Sequence, residues 1–252
     1  MLNYICSELY RFLHTRAVYI TTTVCCALVL GMNIMLHFWG NGAEWYGNTF
    51  FSYSMLMGNP FVIVFMGLIV AAVLYETPRK SGALKNSIAF GMNRAQIFLA
   101  QCLAGILTAT LMLVVILGCY ITSAELLLAH TSKWGSWSAI DLITGVGLVY
   151  LIACAGLITF LLCAQLFRRD LSAGLGWGVP WIVLPLACKY LGMKFELFAS
   201  LKDWMPYIFL AEETGYNWWS EPALVEKCLI SGVVGVLVFT ALGVVSLRKR
   251  DL

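Results

Sequence analysis

The chain has 252 residues, of which 61% are hydrophobic and 12% charged, with a net charge of +3 and a mean hydropathy of +0.84. A soluble domain of this composition would leave far too much apolar surface in water. This excludes a soluble enzyme or binding module, leaves no room for a second domain, and predicts one all-α membrane domain over 1–252 with no nucleic-acid partner.

The first sixteen residues predict an amphipathic helix. Leu2, Ile5, Cys6, Leu9, Phe12 and Leu13 fall within one arc, and Asn3, Ser7, Glu8, Arg11, His14 and Thr15 fall opposite. Such a helix lies in the membrane interface, either as a plain anchor or as the elbow of a transporter. Six apolar stretches follow, at 17–38, 55–75, 96–122, 140–167, 171–190 and 224–247. Each has about the 20 residues that a helix needs to cross the hydrocarbon layer. The first is too long for the apolar region of a signal peptide and has no small-residue cleavage pattern after it, so it is expected to remain.

Lys and Arg set the orientation, because positive charge is retained in the cytoplasm. With both termini inside, Arg11, Arg16, Arg79, Lys80, Lys85, Arg94, Arg168, Arg169, Arg248, Lys249 and Arg250 are cytoplasmic. Lys133, Lys189, Lys194, Lys202 and Lys227 are outside. Trp39, Trp45, Tyr46, Trp134, Trp137, Trp204, Trp218 and Trp219 fall at the outer boundaries, where amphipathic rings prefer the interface. The chain reads as a multi-pass protein of the cell membrane.

Catalytic and metal chemistry find little support. The nine cysteines lie in or beside apolar segments, none is paired as Cys-x-x-Cys, and they read as small hydrophobes. His14, His37 and His130 lack metal-ligand spacing, so no metal site is expected. Within the spans the polar side chains are chiefly Gln101, Gln165 and Lys189. The two glutamines are either pathway residues or interhelical hydrogen-bond partners, and Lys189 can snorkel outward. The dipeptide Gly-Lys never occurs, so the chain has no P-loop and would need another chain to bind ATP.

The richest polar segment is 76–96, Glu-Thr-Pro-Arg-Lys-Ser-Gly-Ala-Leu-Lys-Asn-Ser-Ile-Ala-Phe-Gly-Met-Asn-Arg-Ala-Gln. Thr77 as N-cap, Pro78 at the first helical position and Gly91 as a left-handed stop predict a helix over 78–90. Asn93 with Gln96 predicts a second cap, opening the third span. Leu84 and Ile88 form an apolar ridge beside Lys80 and Lys85, suited to docking in a groove of another protein.

An acid at the end of the second span, then Gly82-Ala-Leu-Lys-Asn86, then Gly91-Met-Asn-Arg94, resembles the permease subunits of type 2 ATP-binding-cassette (ABC) exporters, particularly small peptide-export and immunity permeases. The basic ending after an apolar helix, 247–252, is similar too. The likeness covers the whole chain, with Ala83 where Thr is common and Asn93 where Ser or Thr usually precedes Arg. The resemblance implies a non-enzymatic half-transporter that pairs with a second permease, identical or related. A cytoplasmic ATPase dimer carrying ATP and Mg would drive it, with no cofactor on this chain. Segment 76–95 would be the coupling loop, with Glu76, Arg79, Lys80, Gly82, Leu84, Lys85, Ile88 and Arg94 as its ATPase contacts. The first and fifth spans would form the subunit interface or pathway. Gly174, Gly176 and Gly178, followed by the helix-interrupting Pro180 and Pro185, permit close approach there, or equally inside one subunit. Segment 192–223 would be an extracellular re-entrant gate or an interfacial aromatic loop.

The expected cargo is an amphipathic or hydrophobic molecule, a membrane-active peptide above all, because apolar spans offer nothing to replace a hydration shell. An ion-coupled secondary transporter is the alternative reading, and a membrane-embedded enzyme the third.

Overall fold

Runs of apolar residues 20 or more long can satisfy their backbone in lipid only as helices, and the computed structural model is accordingly helical. It describes residues 2–40, 46–81, 93–130, 137–167, 170–212 and 217–248. Helix α1 (Leu2–Leu13) leads into α2 (Arg16–Gly40), then α3 (Thr49–Met57), α4 (Phe61–Ser81), α5 (Arg94–Leu127) and α6 (Ala139–Leu166). The next span is composite: α7 (Asp170–Gly178), a π-helical turn (Val179–Val183) and α8 (Leu184–Gly192). Short helices α9 (Glu196–Lys202) and α10 (Pro206–Ala211) and a 3-10 turn (Trp218–Ser220) precede α11 (Pro222–Arg248).

Among the described residues, five helices are long and apolar enough to cross a membrane, and α3 with α4 makes a sixth if that pair is one span. The chain therefore has the build of a multi-pass membrane protein. The uniform second span expected over 55–75 is corrected: the chain bends by 68° between Met57 and Phe61. Pro60 follows Gly58-Asn59, and proline disfavours helix in the residue before it. Asn48 caps α3 by accepting from the Phe51 N–H at 2.7 Å. A second correction concerns Thr77, expected to start a new helix: α4 continues through it to Ser81, with Pro78 removing one ladder donor inside the helix.

Helix α6 is the hub, flanked mainly by α4 and α11, while α2 and α1 pack on α5. Of the apolar window in α6, 78% is buried within the protein, against 11% for α2. Glycine makes the two seams of α6 close. A β-carbon on Gly67 of α4 would stand 2.7 Å from the Ala153 carbonyl oxygen, and one on Gly232 of α11 would stand 2.7 Å from the Leu151 β-carbon. Ser138 and Asp141 start α6 with a reciprocal capping box.

The amphipathic reading of α1 needs a correction. Glu8, expected on the solvent side, is buried and pairs with Arg11, and Phe12 is buried one turn on, beneath the Arg11 guanidinium (5.1 Å to the ring centroid). Cys6, expected on the apolar face, is exposed. A helix that packs against protein as well as membrane has three environments. An apolar and polar pattern separates only two.

Candidate functional site

Three polar or irregular places in this helical frame can carry function. The first is the end where α4 passes to α5. Asn93 caps α5 as its sequence implies, accepting from the Ala95 N–H at 2.8 Å, and so holds Arg94 at the first helical position. Glu76, Arg79 and Lys80 lie on the last turns of the α4 backbone. Gly82, Leu84, Lys85 and Ile88 lie outside the described residues, as does most of the helix expected over 78–90. Helix α1 packs against α5. Further along α5, Gln165 of α6 donates to Gln101 Oε1 at 2.8 Å, which makes the glutamines interhelical partners.

The second place is the fifth span, where the expected small-residue stripe divides. A β-carbon on Gly174 or Gly178 would meet nothing within 4 Å, whereas one on Gly176 would collide with the Phe167 ring at 2.6 Å and approach Cys163 Sγ at 3.2 Å. Gly176 therefore packs inward on α6, and the Gly174/Gly178 pair, one turn apart, faces open space. Trp177 between them anchors the helix by donating from Nε1 to the Gly156 carbonyl at 3.0 Å. Pro180 lies within the π turn and Pro185 just after it, and the Leu184 N–H reaches back five residues to the Val179 carbonyl. Two prolines five residues apart each remove a ladder donor, and the wider turn accommodates the loss.

Beyond this span, α9 and α10 are short helices, and Ile208, Phe209 and Leu210 of α10 are buried. Trp218 ties the following turn to the bend after α3, donating to the Met57 carbonyl at 2.9 Å. Lys189, expected to snorkel, forms an ion pair with Glu212 at 2.5 Å.

The third place is a buried polar cluster between α2, α3 and α5 that no motif announces. Asn33 donates from Nδ2 to Ser123 Oγ at 2.7 Å and to the Tyr120 carbonyl at 3.3 Å, and its Oδ1 accepts from Ser52 at 2.7 Å. The Tyr120 hydroxyl donates in turn to the Ser52 carbonyl. Alongside, the Tyr53 hydroxyl donates to Glu125 (2.8 Å), whose other oxygen faces His130 Nδ1 at 3.1 Å. His37 Nδ1 donates to the Leu127 carbonyl at 2.5 Å. The available signal was Asn33 itself, an amide in the middle of an apolar run, which in lipid demands partners. Every group in the Asn33 cluster is matched, so it acts as a clamp joining α2 and the bend to α5.

Among the described residues, no group of three His, Cys, Asp or Glu side chains converges as a metal site. All nine cysteines are free. Comparison with protein-family models finds no match, and comparison with curated proteins finds no significant match.

Proposed function

We propose that the chain is the membrane-spanning permease subunit of an ATP-driven exporter, resident in the cell membrane with both termini cytoplasmic and energised by a separate cytoplasmic ATPase dimer. The observation that carries this reading is the basic connection that leads from α4 into α5. The basic segment 76–94 joins α4 to a capped α5, and the amphipathic α1 packs on that same helix. We take this basic connection as the docking surface for a partner outside the membrane, and the residues proposed to bind it are Glu76, Arg79, Lys80, Gly82, Leu84, Lys85, Ile88 and Arg94. The open face of Gly174 and Gly178 supports pairing with a second permease through the fifth span. The proposed cargo is an amphipathic or hydrophobic molecule, a membrane-active peptide above all, because the spans offer few groups that could replace a hydration shell.

The test is affinity isolation from native membranes, followed by ATP hydrolysis and peptide-tolerance assays. A P-loop ATPase should accompany the chain, and Lys80→Glu with Lys85→Glu should abolish cargo-stimulated hydrolysis while leaving membrane insertion intact. Full transport by the double variant, or transport by the purified chain with no ATPase present, would overturn the proposal. The latter result would favour an ion-coupled transporter.

A further inference from the structure

Helix α2 meets α5 along a seam that carries a pair of thiols as well as the Asn33 clamp. Cys26 lies seven residues before Asn33, two turns of helix, so both face α5. The Cys119 thiol donates to the Cys26 carbonyl at 3.8 Å, across 93 positions of the chain, and is in hydrogen-bonding contact with the Cys26 thiol itself. Asn33 Nδ2 donates to the carbonyl of Tyr120, the residue after Cys119, which holds the two helices together at this point. The neighbouring Cys25 faces another way. It lines a small apolar cavity between α2, α4, α5 and α6, together with Met66, Met112 and Cys154.

The pair borders lipid. Cys26 is the eleventh of the 25 residues of α2, near the middle of a span. Cys26 and Cys119 are both partly exposed, and Val24, Leu28, Val114 and Val115 nearby on the two helices are exposed apolar side chains. An isolated charge is costly in hydrocarbon, so chemistry that begins with a thiolate has no support at this depth. Giving up a hydrogen atom requires no charge. Lipid peroxyl radicals, formed when oxygen adds to carbon radicals of unsaturated acyl chains, accept such atoms and arise in the same layer.

We infer that Cys26 and Cys119 form an oxidation site for lipid peroxyl radicals, closing to a disulfide that joins α2 to α5. Each S–H bond breaks and passes its hydrogen atom to one peroxyl radical, which becomes a lipid hydroperoxide. The two sulfur radicals then pair their odd electrons in one S–S bond. The thiols lose two hydrogen atoms in all, and two radicals gain one each. A thiol standing alone would be left as a radical, whereas a second thiol in contact gives the oxidation a stable and reversible end. The disulfide adds a covalent tie to a seam already joined by Asn33, so that oxidation of the surrounding lipid fixes α2 on α5. This site does not depend on the exporter reading, and it can be measured without an ATPase.

The test uses the purified full chain in nanodiscs of polyunsaturated phosphatidylcholine, exposed under air to a lipid-soluble azo initiator that generates peroxyl radicals in the bilayer. Disulfides are mapped by mass spectrometry of the unreduced protein. The Cys26 and Cys119 peptides should appear joined, at a mass two hydrogens below their sum. Ferricyanide, an oxidant confined to water, should leave both thiols free. Cys26→Ala should abolish the link to Cys119, and Cys25→Ala should leave it intact. The wild-type map decides the matter even if a variant fails to fold. Both thiols remaining free while the lipid oxidises, pairing of Cys119 with Cys25, conversion of either thiol to a sulfinic acid in place of the link, or equal formation of the link by ferricyanide would each overturn the inference.

Discussion

Helices α6 and α11 have the same hydropathy and opposite surroundings. Both reach a mean of 2.5 over their best window, yet 78% of that window is buried in α6 and 17% in α11. Lipid chains are as apolar as a protein interior, so a membrane helix gains nothing by hiding its leucines. What separates the two is shape. The middle of α6 carries Ala153, Cys154, Ala155 and Gly156 in succession, letting neighbours approach from several sides. Helix α11 concentrates its close-packing positions on one face, at Gly232 and Gly235, and turns Val233, Val234, Leu237 and Val238 outward. Contact in this molecule follows where backbones can come near one another.

The strongest way to break this difference is to fill a seam. Gly67→Val and Gly232→Val each place a β-carbon against groups of α6 that include backbone, and each should cost about 3 kcal/mol, at the upper end for overpacking. Equilibrium unfolding in mixed micelles would measure it. A loss below about 1 kcal/mol at both sites would mean that glycine does not set the helix spacing.

Cavity formation comes next. Leu157→Ala on α6 removes a buried side chain and should cost about 2 kcal/mol, the low end of the usual range because the unfolded reference is lipid rather than water. The same micelle titration applies, and a cost like that of an exposed leucine would show that α6 is not the packed centre.

Helix α2 sharpens the contrast, since its packing on α5 is joined by the buried hydrogen bonds of Asn33. Asn33→Leu deletes bonds to Ser123, Tyr120 and Ser52 and should cost about 1 kcal/mol, with a similar coupling energy in a double-mutant cycle with Ser123→Ala. Additive effects of the two changes would remove the clamp from the account.

The smallest effect belongs to the open side of α11. Leu237→Ala, at a position 64% exposed, should change stability by less than about 0.5 kcal/mol. A larger loss confined to the assembled protein, and absent from the isolated chain, would identify this face as a subunit contact.

By itself the sequence determined which segments are long and apolar enough to cross lipid, because that property is a sum over neighbouring residues and needs no partner. The α6 span, read as 140–167, runs from Ala139 to Leu166, and the α11 span, read as 224–247, lies inside Pro222–Arg248. Local chemistry was equally legible where the partner is a few residues away: Asn93 caps α5, and Pro180 and Pro185 mark an interrupted helix. The expectations that missed depended on something outside the local pattern. Pro60 bends a stretch whose hydropathy is continuous across 55–75. Glu8 is buried on a helix that packs against α5, although the pattern of α1 assigns it to water. Tertiary structure alone decided that Gly176 packs inward while Gly174 and Gly178 stay open, that α6 is central, and that Asn33, Ser52, Tyr120 and Ser123 meet across three helices. Hydropathy cannot rank apolar helices against one another in an apolar solvent. Their order comes from steric fit and hydrogen bonding between residues far apart in the chain, 90 positions for Asn33 and Ser123 and 161 for Met57 and Trp218.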